Sequence, residues 1–376
     1  MISNTFGLIY TGDEEINMRE LTAERSIAAV PFAGRYRVID FPLSNLVNSG
    51  VTNVGVITQR NYNSLMDHVG GGSPWDLHRK RDGLFVLPPF SVRENSGFYL
   101  GTVDAFKGAG NYISHVPYEY CIVMRSNTVY NTSYERMMEQ HRATAADITC
   151  LYNIEPADEY VYDGSGDEVR FVMNERGRIV DMEIGSVHPK SSNCYMECVI
   201  ISKSLLEYLL DESQGRGCVD FLKDIVFKKL DSLKVYGYRY DGYVARLTSL
   251  SSYFAENMQL LNESARSNLF SSETPIYTKV KDEPPTRYAA DAMVKNCLVA
   301  DGCVIEGKVE NCILFRGVRV RKGAVVTNSI LMQGTDIEEN VQLDNVILDK
   351  GVVVRRDRRL LGTPNFPVVI RKNAVV

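Results

Sequence analysis

The sequence predicts an α/β domain with a mostly parallel sheet, followed by a β domain that folds as a left-handed parallel β-helix. Three observations lead to this fold class. Short apolar runs alternate with helical patterns over residues 1–262, a polar segment follows at 263–292, and an internal repeat fills 293–376. At roughly 150 residues per domain, a chain of 376 residues also suggests more than one domain.

The first part alternates two kinds of segment. Apolar runs typical of buried strands lie at Thr5–Tyr10, Asn53–Thr58, Tyr120–Ser126, Asp147–Tyr152 and Cys198–Ser202. Segments with helical periodicity lie at Leu43–Ser49, Thr102–Ser114, Ser133–His141 and Lys203–Leu210. This alternation is typical of a mostly parallel sheet covered by helices, which binds ligands at the carboxyl ends of its strands.

A change of composition marks the end of this pattern. The segment 263–292 is polar and contains Lys281-Asp282-Glu283-Pro284-Pro285. Paired prolines among charged residues interrupt both helices and strands. The sequence therefore predicts a linker between two domains.

Four copies of the pattern N-x-[LI]-[VL]-x-x-G follow, beginning at Asn296, Asn311, Asn328 and Asn345. They are spaced by 15, 17 and 17 residues. Aliphatic residues recur about every six residues within them, which gives about three short strands per turn. The glycines allow positive φ at the corners. This period predicts a left-handed parallel β-helix of hexapeptide repeats, whereas an ordinary sandwich would not keep it.

Composition excludes several classes of protein. The net charge is −5, so the chain lacks the basic excess of a general nucleic-acid binder. It contains no apolar run of the roughly 18 residues that a membrane helix needs, and its first residues do not resemble a signal peptide. None of the eight cysteines forms a CxxC pair. We therefore expect a cytoplasmic protein with reduced thiols that binds neither nucleic acid nor membrane.

Four long motifs connect the sequence to a known family. They are Pro31-Phe-Ala-Gly-Arg-Tyr-Arg-Val-Ile-Asp-Phe-Pro-Leu-Ser-Asn45, Gly72-Ser-Pro-Trp-Asp-Leu77, Gly101-Thr-Val-Asp-Ala105 and Asp220-Phe-Leu-Lys-Asp-Ile225. Together with the hexapeptide repeats, they resemble bacterial ADP-glucose pyrophosphorylase (glucose-1-phosphate adenylyltransferase) over essentially the whole chain. The resemblance implies a Rossmann-like nucleotidyltransferase domain. It also implies a reaction of ATP with glucose 1-phosphate, assisted by Mg²⁺, that yields ADP-glucose and pyrophosphate.

The phosphate loop departs from the family's pattern. Gly12 is kept, but the family's catalytic arginine matches Asn17 and its lysine matches Ile27. The run Asp13-Glu14-Glu15 places carboxylates where a triphosphate would lie. Two like charges about 4 Å apart repel by about 4 kcal/mol at an effective dielectric of roughly 20. The loop is therefore predicted to be poor at binding a triphosphate.

The metal and sugar-phosphate positions depart as well. The two metal aspartates of the family match Asn127 and Arg246, and its sugar-phosphate lysine matches Gly185. Glu197 stands in the sugar pocket where the family has glycine. An amide is a weak ligand for Mg²⁺ and a guanidinium is none, although Arg246 could replace a cation as a fixed charge. We expect no catalytic residue, metal or other cofactor in this chain, and assign Mg²⁺ to a catalytic partner.

These losses resemble the non-catalytic GlgD type of subunit, which assembles with a catalytic subunit of the same fold. We therefore expect a regulatory, catalytically inactive subunit in a hetero-oligomer, a tetramer, that makes ADP-glucose for glycogen. Two alternatives stay open. One is a low-activity sugar-phosphate nucleotidyltransferase with a rearranged site, and the other is a free-standing nucleotide or sugar-phosphate sensor.

Some nucleotide-binding positions are kept. Gln59, Gly101, Thr102 and Asp104 match residues that line the family's adenine pocket, and Gly12 is the glycine kept from the phosphate loop. In this interpretation these five residues form a vestigial nucleotide site, in which Gln59 and backbone groups would hold a purine edge. The alternative is that these residues only preserve the packing of sheet against helix.

Basic residues cluster elsewhere and suggest an effector site. Arg35 takes the place of a family lysine linked to effector binding, and Arg37 lies two residues on. The β-helix adds further arginines at Arg316, Arg319, Arg321, Arg355 and Arg356. Arginine suits anionic sugar phosphates because its planar fork binds phosphate oxygens in pairs. We expect an effector pocket between the domains. The alternative is a solvated face or a set of ion pairs.

Overall fold

The computed structural model describes residues 2–12, 18–89, 99–157 and 168–376. The strands of the first domain occur in two sizes, long ones in the main sheet and two-residue ones in small ladders. In chain order they are β1 (Thr5–Tyr10), β2 (Pro31–Phe32), β3 (Tyr36–Arg37), β4 (Asn53–Ile57), β5 (Gly83–Leu87), β6 (Tyr120–Arg125), β7 (Thr128–Val129), β8 (Ile148–Ile154), β9 (Val169–Met173), β10 (Ile179–Ile184), β11 (Asn193–Ser202), β12 (Val235–Tyr240) and β13 (Ala245–Arg246).

Helices cover both faces of this sheet, as predicted. They are α1 (Asp40–Asn48), α2 (Asn63–Val69), α3 (Thr102–Gly108), α4 (Gly110–His115), α5 (Glu135–Ala143), α6 (Lys203–Glu212), α7 (Leu250–Gln259) and α8 (Glu263–Leu269). Single turns of 3-10 helix lie at 19–21, 27–29, 73–75 and 227–229, and a π turn at 221–226. None of the helices in the described residues is long and apolar enough to cross a membrane.

The main sheet runs in the order β10-β9-β11-β6-β1-β4-β5, and β8 and β12 branch from β11. The segment β6-β1-β4-β5 is parallel, and so is the pair β8–β12. The long strand β11 pairs antiparallel with β6 and β8. Because β1 and β6 are parallel neighbours, their carboxyl ends meet, with Tyr10 beside Arg125. This edge is where a ligand pocket is expected.

The repeats form a parallel β-helix, as predicted. Its strands are β14 (Arg287–Tyr288), β15 (Met293–Lys295), β16 (Leu298–Val299), β17 (Val304–Ile305), β18 (Lys308–Glu310), β19 (Ile313–Leu314), β20 (Arg319–Val320), β21 (Val325–Thr327), β22 (Ile330–Leu331), β23 (Asp336–Ile337), β24 (Gln342–Asp344), β25 (Val346–Leu348), β26 (Val353–Val354), β27 (Arg359–Leu361) and β28 (Val368–Ile370). Every third strand pairs in parallel, which produces three sheets that begin with β14, β15 and β16.

The corners of the β-helix explain the repeated pattern. Its first residue is an asparagine with positive φ in all four copies, between 46° and 53°. Its last residue is a glycine, also with positive φ, between 68° and 75°. Asparagine and glycine tolerate this left-handed conformation better than other residues do. The asparagine corner is a feature that the prediction from glycine alone did not include.

Two boundaries differ from the prediction. The linker was expected to span 263–292, but α8 occupies Glu263–Leu269 and the first β-helix strand begins at Arg287. The polar composition of α8 hid a capped helix, because the Asn262 side chain accepts a hydrogen bond from the Ser264 backbone. The predicted helix Thr102–Ser114 is divided at Ala109 into α3 and α4.

The two domains share an apolar core. From the first domain it contains Phe32, Phe41 and Tyr253, and from the β-helix it contains Ile313, Ile330 and Ile347 among others, all fully buried. The β-helix side chains come from the sheet β16-β19-β22-β25-β28, which therefore faces the first domain. A continuous core of this kind holds the domains in one arrangement.

Candidate functional site

A pocket opens at the carboxyl end of β6, beside β1, and we call it the sheet pocket. Its lining includes Thr102, Arg125, Glu197, Asp220 and Lys223. The Arg125 guanidinium donates to the Glu197 carboxylate at 3.5 Å and lies over the Tyr10 ring, 5.8 Å from its centre. Burial raises the pKa of Glu197, and Arg125 opposes that shift. The charges in this pocket are thus engaged with one another.

Glu197 sits in a strained backbone conformation. Its φ is +54°, and the pairing of β11 with β8 shifts register between Tyr195 and Val199. A residue with a Cβ is disfavoured there, whereas glycine is not. The backbone therefore keeps the shape expected for the family's glycine, and the side chain adds a carboxylate to the pocket.

The predicted nucleotide residues Gly12 and Gln59 lie together. A Cβ on Gly12 would come within 2.3 Å of Gln59 Oε1, so a larger residue there would have to displace the Gln59 side chain. Gln59 Nε2 donates to the Tyr99 carbonyl at 2.8 Å, and its Oε1 accepts from the Tyr10 hydroxyl at 3.2 Å. The Gln59 amide that was expected to hold a purine edge is therefore bonded within the protein.

Gly101, Thr102 and Asp104 start helix α3 and tie it to a neighbouring loop. A Cβ on Gly101 would meet the Val219 carbonyl oxygen at 2.6 Å. Thr102 Oγ1 accepts from the Phe221 backbone at 2.8 Å, and Asp104 accepts from the Leu100 backbone at 3.2 Å. Thr102 also lines the sheet pocket. These contacts favour the packing interpretation over nucleotide binding.

This chain has no basic residue at the positions of the family's two lysines and its catalytic arginine. Ile27 is fully buried in the core shared by the two domains. Gly185 follows β10 with φ +57°, a conformation that a lysine would adopt only under strain. Asn17, like the acidic run 13–15, lies outside the described residues.

The two metal positions are brought side by side. Arg246 in β13 pairs with Thr128 in β7, and the Leu247 backbone donates to the Asn127 carbonyl at 3.0 Å. Arg246 is bonded to Glu155, to Asn153 Oδ1 at 2.6 Å and to the Tyr195 carbonyl at 3.2 Å. Burial lowers its pKa to about 10, so it stays a cation at neutral pH.

These residues do not fit Mg²⁺. The position that should supply a carboxylate holds a fixed positive charge, and the other supplies only a neutral amide. Arg246 is bonded to three protein oxygens, so it is an integral structural cation rather than one held ready for a phosphate. Among the described residues, Glu155, Glu168 and Cys194 approach a metal-binding geometry, but both carboxylates form ion pairs with arginines.

A second pocket lies between the domains, and we call it the interdomain crevice. Six of its lining residues are basic, namely Arg35, Arg37, Lys279, Lys281, Arg316 and Lys350. No carboxylate is among the described residues that line it. The predicted effector residues Arg35 and Arg37 are thus brought together with a β-helix arginine, Arg316.

The β-helix wall of the crevice follows the repeat. The sixth residue of the pattern is Arg316, Gln333 and Lys350 in successive copies, and all three line the crevice. Backbone bonds from Gly334 to Arg316 and from Gly351 to Gln333, both 3.0 Å, stack these positions. Gln333 and Lys350 were not among the predicted effector residues. The signal for them was their common place in the pattern.

The fifth residue of the pattern faces the first domain. Phe315 and Met332 pack in the shared core, and Asp349 forms a buried ion pair with Arg25. Arg25 is 3% exposed and Asp349 1%. This pair joins the two walls beneath the crevice.

The crevice holds unsatisfied positive charge. Arg316 is 7% exposed, yet its Nε and Nη2 have no hydrogen-bond partner among the described residues. Burial, together with Arg37 and Arg25, lowers the pKa of Lys350 to about 7. Arg37 Nη1 donates to the Ser64 carbonyl at 2.5 Å, which fixes its position. Buried donors without acceptors point to an anionic ligand.

Four of the predicted effector arginines are not in this group. Arg319, Arg321, Arg355 and Arg356 lie on or after β20 and β26, and none lines the crevice. Arg321 donates to Asp336 at 2.8 Å, and Arg355 donates to Glu338 at 2.8 Å. For these residues the structure favours the alternative of ion pairs and a solvated face.

Comparison with known proteins agrees with this fold. Residues 7–162 match the family model "Nucleotidyl transferase", and residues 284–363 match "GlmU-like, C-terminal hexapeptide". The chain is 37% identical to the glycogen biosynthesis protein GlgD of Bacillus subtilis, over 96% of this chain and 93% of the relative. It is 35% identical to the glucose-1-phosphate adenylyltransferase of Geobacillus stearothermophilus, over 87% and 84%. A further relative is the glucose-1-phosphate adenylyltransferase of Clostridium perfringens, at 34% identity over 86% and 83%. The chain therefore belongs to the glucose-1-phosphate adenylyltransferase and GlgD family.

Proposed function

We propose that this chain is a regulatory subunit without transferase activity of its own. It acts in a heteromeric glucose-1-phosphate adenylyltransferase, and it takes part in ADP-glucose synthesis for glycogen. The observation that carries the proposal is Arg246, which puts a guanidinium at a metal position and is held there by Glu155, Asn153 and Tyr195. Nucleotidyl transfer depends on positive charge over the phosphates that a carboxylate-bound metal supplies, and this arrangement cannot bind one.

The regulatory part of the proposal rests on the interdomain crevice. Its basic side chains and the unpartnered nitrogens of Arg316 suit an anionic sugar phosphate or phosphate. An effector there contacts both domains, so its binding energy depends on how they are arranged. Such coupling between sites is typically about 1–3 kcal/mol.

The experiment is pyrophosphate release from ATP and glucose 1-phosphate, with Mg²⁺ present. It is measured for this chain alone, for a catalytic paralogue alone and for their mixture. We expect no release by this chain alone, and a changed rate or apparent affinity in the mixture. Robust release by the chain alone would overturn the proposal in favour of a rearranged active site.

A matched variant distinguishes the loss of metal ligands from other causes of inactivity. Asn127→Asp with Arg246→Asp returns both carboxylates. We expect the double variant to bind Mn²⁺, detected by electron paramagnetic resonance, whereas the native chain leaves the Mn²⁺ signal unchanged. Mn²⁺ binding by the native chain would contradict the assignment of Arg246.

One observation favours a second candidate, a sensor that still binds a nucleotide or sugar phosphate just beyond the carboxyl end of β6. Ser126 Oγ and Asn127 Oδ1 are buried at the end of β6, and neither has a partner among the described residues. A ligand could satisfy both. The sensor would bind ATP or glucose 1-phosphate in calorimetry without associating with the catalytic paralogue in sedimentation.

A further inference from the structure

Two cysteines lie next to each other on the first two coils of the β-helix. Cys297 and Cys312 are the second residues of the first two repeat copies, and the residues that follow them, Leu298 and Ile313, are paired in register. On the other side, Asn296 Nδ2 donates to Asn311 Oδ1 at 2.8 Å. Neighbouring strands are about 4.8 Å apart, which lies within the roughly 4.4–6.8 Å between Cα atoms that a disulfide spans.

The two thiols differ in exposure and acidity. Cys297 is half-buried and Cys312 is buried. The neighbouring Cys312 thiol is the main cause that lowers the pKa of the Cys297 thiol to about 7. Cys297 Sγ donates to the Lys295 carbonyl at 3.1 Å, and Cys312 Sγ donates to the Glu310 carbonyl at 3.1 Å. Burial raises the pKa of Cys312 well above its usual range. An accessible thiolate beside a protected thiol is the arrangement of a redox-sensitive pair.

The other cysteines lack this arrangement. Cys121, Cys150, Cys194 and Cys198 are buried, and burial raises the pKa of each. Cys303 is also buried with a raised pKa. Cys218 is half-buried like Cys297 and serves as a natural control.

We propose that Cys297 and Cys312 form a peroxide-sensitive thiol pair that closes to a disulfide between the first two coils of the β-helix. The Cys297 thiolate attacks hydrogen peroxide, the O–O bond breaks, and Cys297 sulfenic acid and water form once the leaving hydroxide takes a proton. The Cys312 sulfur then attacks the sulfenic sulfur, the S–O bond breaks, and its hydroxide leaves as water with the Cys312 proton. Two thiols are oxidised and one peroxide is reduced to two molecules of water.

The disulfide would link the first coil of the β-helix covalently to the second. β14, β15 and β16 are the outermost strands of the three sheets, so this coil is paired on one side only among the described strands. The first coil also carries Leu298, which packs against the core shared by the domains. A covalent bond to the second coil would slow the opening of this edge.

The test treats the reduced native chain with hydrogen peroxide, blocks remaining thiols by alkylation, and measures intact mass and cross-linked peptides. We expect two of the eight thiols to be lost, in a disulfide of Cys297 with Cys312 that dithiothreitol reverses. Cys218→Ser should behave the same way, which excludes Cys218. Loss of Cys218 alone, with Cys297 and Cys312 still alkylated, would overturn the proposal.

Two further variants test the order of steps. Cys312→Ser should stop at Cys297 sulfenic acid, which dimedone traps. Cys297→Ser should leave Cys312 reduced, and equal oxidation of Cys312 in this variant would contradict its role as the second thiol.

Hydrogen exchange provides a readout that does not depend on the variants. The amides of residues 287–299 should exchange more slowly after oxidation, and unchanged exchange would contradict the fastening of the coil.

Discussion

The sheet pocket and the interdomain crevice differ in what their charged side chains contact. In the sheet pocket Arg125 faces Glu197, and beside it Arg246 is bonded to Glu155. In the crevice Arg316 is buried with two nitrogens that have no partner among the described residues. The charged side chains of the first region are paired with one another, whereas Arg316 in the second is not paired among the described residues. We propose that this fold has lost one phosphate site and kept another while its core stays intact.

The largest effect is expected at the ion pair that joins the walls of the crevice. Asp349→Ala leaves Arg25 buried without its carboxylate, so the free energy of unfolding should fall by about 3–5 kcal/mol. Replacing both residues, Arg25→Met with Asp349→Leu, should cost far less because no unpaired charge remains. Urea unfolding measures all three proteins.

The control for that prediction is a more exposed ion pair. Arg321 contacts Asp336 on the outside of the β-helix, so Arg321→Ala should lower the free energy of unfolding far less than Asp349→Ala does. Equal losses for Asp349→Ala and Arg321→Ala would show that the buried pair has no special role in joining the domains.

The next effect concerns anion binding. Arg316→Gln removes a buried charged donor, and such bonds contribute about 1.5–3 kcal/mol, so the affinity for sulfate should fall roughly tenfold to hundredfold. Arg319→Gln is the matched control, because Arg319 is exposed and does not line the crevice. Calorimetry at low ionic strength measures both. If the two variants lose affinity equally, the anion site is not the crevice.

A smaller effect is expected from pH. Lys350 is a cation below its pKa of about 7 and neutral above it, so sulfate affinity should fall as pH rises through 7. The loss is at most about tenfold per pH unit. Arg25, Arg37, Lys281 and Asp349 are the other charged groups acting on Lys350, and burial lowers the pKa of the nearby His68.

The variant Lys350→Arg serves as the control for this pH dependence. Lys350→Arg keeps its charge through neutral pH, so its sulfate affinity should stay level between pH 6 and 8, about one unit either side of the Lys350 pKa. Sulfate keeps its own charge over this range, which leaves the protein as the source of any slope. The same slope in the native chain and in Lys350→Arg would exclude Lys350 as the titrating group.

The smallest effect lies in the sheet pocket. Glu197→Gly and Glu197→Ala both remove the carboxylate, but only glycine relieves the backbone at φ +54°. The glycine variant should be more stable than the alanine variant by about 1 kcal/mol, measured by urea unfolding. An alanine variant as stable as the glycine variant would show that this backbone is not strained.

Much of the fold could be predicted because it depends on local patterns. The strand Thr5–Tyr10 was predicted with the same bounds as in the structure. The four copies of N-x-[LI]-[VL]-x-x-G correctly predicted successive turns of the β-helix. Helix α8 was missed because its stability comes from the Asn262 cap and from packing rather than from an apolar stripe.

The crevice was predictable only in part. Arg35, Arg37 and Arg316 were recognised as basic residues, but which arginines meet depends on which face of the β-helix packs on the first domain. That face is set by the third and fifth residues of the pattern, among them Ile313, Phe315 and the buried Asp349. Long-range docking of this kind leaves no signal in a single stretch of sequence.

The most direct test of the account compares the two regions in the assembled enzyme. Pyrophosphate release by the catalytic paralogue mixed with this chain is measured at rising sulfate concentration, with the native chain, Arg316→Gln and Asn127→Ala in turn. We expect Arg316→Gln to remove the part of the sulfate response that this chain adds, and Asn127→Ala to leave that part unchanged. A response lost in Asn127→Ala and kept in Arg316→Gln would contradict it.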